Sequence, residues 1–301
     1  MLRLFAILVL VSWYMLLFSG LLDSFFLVID ININPNIFEI GAFALSWHGL
    51  FTAIGIFSGV ALGVSLLRRD GVPTEVGQEI ALVAVLCALI GARLFYVFEH
   101  WSFFSNDPIT IVTGVTEGGI TLYGGLIGGV LGGLLYAIIR KWPIGIGLDA
   151  AAHGMLLGQG IGRIGDLING EHLATDSTLP WAFRYIHPET LGEFGLSVHP
   201  TAGGYELLGD FLILGILLFI ARPRIKIPGW TFCLYVILYG VLRLGLSEMR
   251  FDEQTVSGLP IPQLVSIVLL GVAFISAGIL IKHHGPITHE WERRVFGRRK
   301  R

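Results

Sequence analysis

The stretch Gly158-Gln-Gly-Ile-Gly-Arg-Ile-Gly-Asp-Leu-Ile-Asn-Gly-Glu171 closes an apolar segment that begins near residue 147. It sets a cation, two carboxylates and an amide (Arg163, Asp166, Glu171 and Asn169) among glycines. In a solvated loop these residues would be ordinary. At membrane depth a charged side chain costs about 2.5–3.5 kcal/mol even on the lenient insertion scale, and a partner has to offset it. The glycines leave room for a ligand or a second backbone. The stretch is therefore the candidate site, and the fold turns on whether the segment before it lies in a bilayer.

Composition says that it does. Of 301 residues, 54% are hydrophobic and only 14% charged, where a soluble chain carries about 25%. Mean hydropathy is +0.75. Apolar spans are expected at about 4–22, 47–67, 77–98, 119–139, 147–168, 206–221, 230–249 and 263–282, several of them near the ~20 residues a helix needs to cross the hydrocarbon core. The expected fold is an all-α polytopic membrane protein with about seven core transmembrane helices, an extra N-terminal apolar helix and a small extracytoplasmic cap at about 169–205. The domains read as an N-terminal extension (1–30, an extra helix or an uncleaved signal-like segment), a transmembrane domain (31–284) and a basic tail (285–301).

Charge placement orients the spans. Arg3, Arg68, Arg69, Arg140, Lys141, Arg222, Arg224, Lys226, Lys282 and the tail Arg293, Arg294, Arg298, Arg299, Lys300 and Arg301 all fall on one side if every span crosses, and they include most of the 20 basic residues. The positive-inside rule makes that side, with the C-terminus, cytoplasmic. The opposite loops are acidic (Asp23, Asp30, Glu39, Glu99, Asp107, Glu117, Asp176, Glu189, Glu193, Asp252, Glu253). The remaining basic residues, Arg93, Arg163, Arg184, Arg243 and Arg250, are all arginine and lie toward the acidic side. Their planar forks suit phosphate and carboxylate better than an ammonium does, and phosphate headgroups of the outer leaflet are the nearest anions.

Other features have plainer readings. The glycine rows 124/128/132 and 125/129/133 read as helix-packing faces. Cys87 and Cys233 sit in apolar runs and read as small core side chains. His100, His172 and His187 lack metal-ligand spacing, so no metal and no cofactor are expected. A net charge of −2 gives no reason to expect nucleic acid. Arg163 and Asp166, three apart, could pair with each other. Arg93 could be an interhelical strut, Arg184 and Arg250 surface contacts, Asp149 and His153 a helix pair, and Asn169 and Glu171 turn formers at the helix exit.

Several elements in order resemble the prolipoprotein diacylglyceryl transferase family. They are Trp47-His-Gly-Leu50, Gly91-Ala-Arg-Leu-Phe-Tyr96, Gly118-Gly-Ile-Thr-Leu-Tyr-Gly-Gly-Leu-Ile-Gly128, Gly162-Arg-Ile-Gly-Asp-Leu-Ile-Asn-Gly-Glu171, His199-Pro-Thr with Tyr205-Glu206, and Tyr239-Gly-Val-Leu-Arg243. The resemblance covers about residues 35–282. It implies transfer of a diacylglyceryl group from phosphatidylglycerol to the lipobox cysteine of a prolipoprotein signal peptide, at the outer face of the bacterial cytoplasmic membrane, releasing glycerol phosphate. It implies that Arg163 and Arg243 contact the lipid headgroup, with Asp166, Asn169, Glu171, Arg93 and Gly162 also around the substrate. Cations holding the leaving phosphate stabilise developing charge. The thiol, with an ordinary pKa near 8.5, must also lose its proton.

Departures from the family pattern bear on that proton. His48 stands where the family has tyrosine, Tyr123 where it often has histidine, Asp166 where it has asparagine and Ala174 where it has glycine. The His-Pro-Thr element reaches Tyr205-Glu206 with one extra residue. His48, Tyr123 and Asp166 are the base candidates, and His48 and Tyr123 are expected to line the site with exchanged roles. Two other readings remain: a non-catalytic lipid-binding relative, and an anion or lipid transporter, which would show an internal repeat and a midplane site.

Overall fold

The computed structural model describes residues 28–41, 43–105, 108–113, 119, 121–171, 173–251, 255–256 and 258–284. The expected first span and the basic tail lie outside them. Chain order is β1 (Ile29–Ile31), β2 (Asn36–Ile40), β3 (Phe43–Ser46), α1 (Trp47–Arg69), α2 (Thr74–Glu99), α3 (Leu122–Ile139), α4 (Ile144–Asn169), β4 (Phe183–Tyr185), β5 (Ser197–Val198), α5 (Thr201–Arg224), α6 (Trp230–Ser247), β6 (Thr255–Val256), β7 (Leu259–Pro260) and α7 (Ile261–His284). Short helical turns at Trp101–Phe104 and Thr110–Thr113 lie between α2 and α3.

Five of the described helices, α1, α2, α5, α6 and α7, are long and apolar enough to cross a membrane, and α3 is a shorter apolar helix. The chain is a multi-pass, mainly helical membrane protein. α4 is as long as α2 but interrupts its apolar run with Asp149, His153, Arg163 and Asp166. The seven expected core spans from 47 onward each coincide with a helix, with ends shifted by a few residues.

The described residues divide into two compact units. The first comprises the described parts of Met1–Gly55, Gln159–Leu212 and Leu238–Leu270; the second those of Ile56–Gly158, Ile213–Ile237 and Gly271–Arg301. In the first, β1 pairs in parallel with β4, and β4 pairs antiparallel with β5. Ile31, Ala174, Phe183, Tyr185 and Val198 form its small apolar cluster. Arg184 closes a fork on Asp30 across β1 and β4, at 2.7 and 2.9 Å. This is the surface contact expected for Arg184, and its hydrogen bond holds the Asp30 carboxyl below its usual range.

In the second unit α2 and α3 pack through small residues. A Cβ at Gly124 or Gly128 would strike the backbone at Gly91 and Cys87, and Gly125, Gly129 and Gly133 face Ala88, Ala92 and Ala84. Both glycine rows are thus packing faces, which in lipid is how backbones approach closely. α1 and α4 use the same device: Gly59 and Gly154 oppose each other's carbonyls, and Gly63 meets Ala150. The partners run in opposite directions along the two helices, so the pair is antiparallel.

Two expectations are refined here. Asp149 does not pair with the His153 side chain. Its carboxylate accepts from the Gly229 and Phe232 N–H groups at 2.8 Å each, capping the start of α6, while His153 Nδ1 meets the Asp149 carbonyl at 2.6 Å. A helix start exposes unpaired N–H donors, and a nearby carboxylate is their best partner. Arg93 spends its guanidinium on three backbone carbonyls, from Nε to Ile111 (3.0 Å), NH1 to Gly119 (2.9 Å) and NH2 to Thr110 (3.1 Å). It also lies over the Tyr96 and Phe104 rings. This is a strut that fastens the backbone at Thr110, Ile111 and Gly119 to α2. Arg93→Lys is expected to lower the thermal midpoint clearly, since one ammonium replaces a fork whose charged hydrogen bonds are worth about 1.5–3 kcal/mol each. A variant with the wild-type midpoint but a raised KM for lipid would instead make Arg93 a ligand of the substrate.

Candidate active site

The site grows from the meeting of α1 and α4 inside the first unit. The β2–β3 hairpin leads directly into α1, whose start is capped by Ser46: its Oγ accepts the Gly49 N–H at 3.0 Å. His48 is in the first turn. A Cβ on Gly165 would lie 2.6 Å from His48 Cα, so glycine at 165 is what lets the start of α1 touch α4. α4 ends at Asn169 with Gly170 at φ +73, a left-handed closing residue that glycine adopts freely. Gly170 N–H returns to the Asp166 carbonyl at 2.9 Å, and Leu191 N–H caps the Asn169 carbonyl at 3.0 Å. Tyr185 donates its hydroxyl to the Leu167 carbonyl at 3.1 Å, and burial pushes that phenol's pKa up, keeping it a donor.

On this frame the polar side chains form one continuous chain. His48 Nδ1 lies 2.7 Å from Asp166 Oδ1. Asp166 Oδ2 accepts from Arg163 NH1 at 2.6 Å. Arg163 NH2 donates to Glu206 Oε1, also at 2.6 Å. Glu206 Oε1 further accepts the Tyr239 hydroxyl at 2.7 Å, and Arg243 NH1 stands 3.9 Å from Glu206 Oε2. Glu171 Oε1 is 3.7 Å from His48 Nδ1 and accepts from Asn169 Nδ2 at 2.8 Å. The Asp166 and Glu206 side chains are 3% and 1% exposed, while that of His48 is 40% exposed. Two arginines thus face the carboxylates that offset their burial, and the network opens toward surroundings at His48.

The geometry joins His48, Arg163, Asp166, Asn169, Glu171 and Arg243. Gly162 is on the same helix but meets open space. Arg93 and Tyr123, the latter half-buried in the first turn of α3, belong to the second unit. The donor atoms of His48, Asp166 and Glu171 lie within 4.8 Å of one another, near enough to share an ion. Both Asp166 oxygens already face N–H groups, so a cation would compete with His48 and Arg163 for them.

Glu206, Tyr239 and Asp210 were not among the expected site residues. Glu206 is the hub of the network. Asp210, one turn further along α5, is fully buried with neither carboxylate oxygen hydrogen-bonded. The signal was present, since an ionisable residue inside an apolar span marks a site by default. α5 begins as a π-helical turn over Thr201–Glu206 before continuing as α-helix. A π turn absorbs one extra residue in a helix. This accounts for the longer spacing before Tyr205-Glu206 and still delivers Glu206 to Arg163.

Comparison with known proteins shows the family. The pattern of the prolipoprotein diacylglyceryl transferase family matches residues 35–279. The chain belongs to this family. It is similar to phosphatidylglycerol–prolipoprotein diacylglyceryl transferases of Finegoldia magna (34% identity over 247 residues, 81% of this chain and 93% of the relative) and Gloeobacter violaceus (34% over 251 residues, 82% and 91%). A relative in Dehalococcoides mccartyi bears the same name, at 30% identity over 245 residues, 81% of this chain and 92% of its own. The matched residues span the stretch that contains the network, from His48 to Arg243.

Proposed function

We propose that the protein transfers the diacylglyceryl group of phosphatidylglycerol to the lipobox cysteine of prolipoprotein signal peptides, as its relatives' names state for phosphatidylglycerol and prolipoprotein. The observation that carries this reading is the pair of arginines, Arg163 and Arg243, facing one buried glutamate, Glu206. Arginine carries five N–H donors. Glu206 and Asp166 orient Arg163, and Arg163 and Arg243 together hold the lipid phosphate. As glycerol phosphate departs its charge grows, and fixed cations in a low-dielectric site stabilise that growth. Asn169 Oδ1, buried without a hydrogen-bond partner, is an acceptor suited to a headgroup hydroxyl. The nucleophilic sulfur comes with the peptide, so neither Cys87 nor Cys233 is needed. His48 and Tyr123 are the candidates for removing its proton.

The reaction is assigned to the outer face of the bacterial cytoplasmic membrane. In support, α1 starts at His48 and ends at Arg68-Arg69, and α5 starts beside Glu206 and ends at Arg222 and Arg224. Site residues and basic clusters thus occupy opposite ends of the same helices, as the positive-inside rule requires of an outward-facing site. In this reading 169–205 is an extracytoplasmic cap, residues 1–30 an N-terminal apolar extension (an extra helix or an uncleaved signal-like segment), 31–284 the transferase domain and 285–301 a cytoplasmic tail. Complementation tests the function. A bacterium depleted of its own transferase is expected to grow when supplied with this gene and to fail with Arg243→Ala expressed at equal level. Failure of the wild-type gene, with the protein present in the membrane, would favour a non-catalytic lipid-binding relative.

A further inference from the structure

We infer that His48 is the general base that deprotonates the substrate thiol, and that Asp166 is the positioning residue that holds it in the required tautomer. The inference rests on the transferase reading above and adds to it an assignment of the proton-accepting atom.

Asp166 cannot turn away from His48, because its second oxygen accepts from Arg163, and Arg163 is in turn held by Glu206. The start of α1 is pressed on Gly165, one residue before Asp166, so the His48 backbone is fixed as well. A carboxylate 2.7 Å from Nδ1 can only accept a hydrogen bond, so Nδ1 carries the proton. The lone pair is then on Nε2, and the two ring nitrogens are distinguished by what Nδ1 bonds. Exposure agrees with the assignment. The His48 side chain is 40% exposed, against 28% for Glu171 and 19% for Arg163. The charged groups around it are Asp166 and Glu171 from α4 and its exit, with Arg163, Glu206 of α5 and Arg243 of α6 in the next links.

Two departures from the family pattern meet in this contact. Tyrosine and asparagine are replaced by His48 and Asp166, which touch across 118 positions of sequence. The exchange puts an imidazole–carboxylate pair, which can accept a proton, where the pattern has two neutral side chains. Tyr123 cannot readily do this, since a phenol's ordinary pKa is near 10.

The step balances. The S–H proton moves to Nε2, giving thiolate and imidazolium. The thiolate attacks the glycerol carbon bonded to the phosphate oxygen. The C–S bond forms, the C–O bond breaks, and its electron pair leaves on glycerol phosphate. The imidazolium then returns its proton to that phosphate or to water. The proton is thus on His48 while the leaving group gains its second negative charge.

The test is the pH dependence of transfer from phosphatidylglycerol to a lipobox peptide, between about pH 5 and 9, for purified wild type, His48→Gln, Asp166→Asn and Tyr123→Phe. Wild type should lose rate on the acidic side as His48 becomes protonated. His48→Gln should lower kcat by about 100-fold or more, leave KM for phosphatidylglycerol unchanged and abolish the acidic limb. Asp166→Asn should lower kcat by about tenfold or more and move the limb to lower pH, because the imidazolium loses its counter-charge. Tyr123→Phe, whatever its rate, should keep the limb. A His48→Gln enzyme with wild-type kcat and limb, or a limb lost in Tyr123→Phe instead, would overturn the assignment. Nitrogen-15 shifts of His48 in the wild-type protein give a readout independent of activity: the Nδ1–H tautomer is expected, and the Nε2–H tautomer would overturn it. A wild type that leaves the peptide unmodified contradicts the transferase function itself, and the base assignment falls with it.

Discussion

Arg163→Ala is expected to abolish transfer and to destabilise the protein, while Arg243→Ala is expected to abolish transfer at much smaller structural cost. Arg163 donates to two carboxylates whose side chains are 3% and 1% exposed. Removing it leaves both buried without their main counter-charge, and breaking a buried pair in this way costs about 3–5 kcal/mol. Arg243 stands 3.9 Å from Glu206, which keeps Arg163 and Tyr239 when Arg243 is gone. For transfer the two should look alike. Loss of one donor aimed at developing charge costs about 10²- to 10³-fold, and each arginine supplies more than one donor. Lysine should not fully restore transfer at either position, because a single ammonium lacks the planar fork with which arginine faces a carboxylate and a phosphate together. Thermal midpoints and transfer rates of both alanine variants in the same detergent settle the comparison. A wild-type midpoint for Arg163→Ala would contradict its role as the counter-charge of Asp166 and Glu206, and a wild-type rate in either variant would remove that arginine from the mechanism.

The second large effect separates two glycines of one motif. A Cβ on Gly165 would lie 2.6 Å from His48 Cα and 3.2 Å from both His48 N and Trp47 O. All three are backbone atoms, so Gly165→Ala must push the start of α1 off α4. Overpacking of this kind costs about 1–3 kcal/mol. The displacement also pulls His48 away from Asp166, and misplacement by about 1 Å can cost about 10²-fold in rate. Gly162 faces open space, and alanine is the better helix former by about 1 kcal/mol. Gly162→Ala is therefore expected to match or exceed the wild-type thermal midpoint. Circular-dichroism melts and transfer assays on both variants check the contrast. Equal stability losses would mean that the α1–α4 approach is not what the glycine at 165 provides.

The helices were legible because their signal is local. Runs such as 47–67 and 263–282 announce themselves by length and apolarity, and the paired glycine rows after Gly124 announced a close helix contact. The strands were not legible. β1, β4 and β5 have two or three residues each, too few for an alternating pattern, and β1 pairs with β4 across more than 150 positions. Within the site, Arg163 and Asp166 were visible because charge inside an apolar run is costly. Their partners were not, because Glu206 is 43 residues from Arg163 and His48 is 118 from Asp166. The departures at 48 and 166 could be noted one at a time, but only the fold makes them a single contact. The extra residue before Tyr205 was visible as a spacing anomaly, and the π turn gives it a physical reason.

Intact-mass measurement of a lipobox peptide, after incubation with the purified wild-type protein and vesicles of phosphatidylglycerol, tests the central claim most directly. The expected result is a diacylglyceryl mass increment on the cysteine, with one glycerol phosphate released per peptide modified and no increment when that cysteine is replaced by serine. A peptide recovered unmodified by folded protein, under conditions where the Finegoldia magna relative modifies it, would contradict the account.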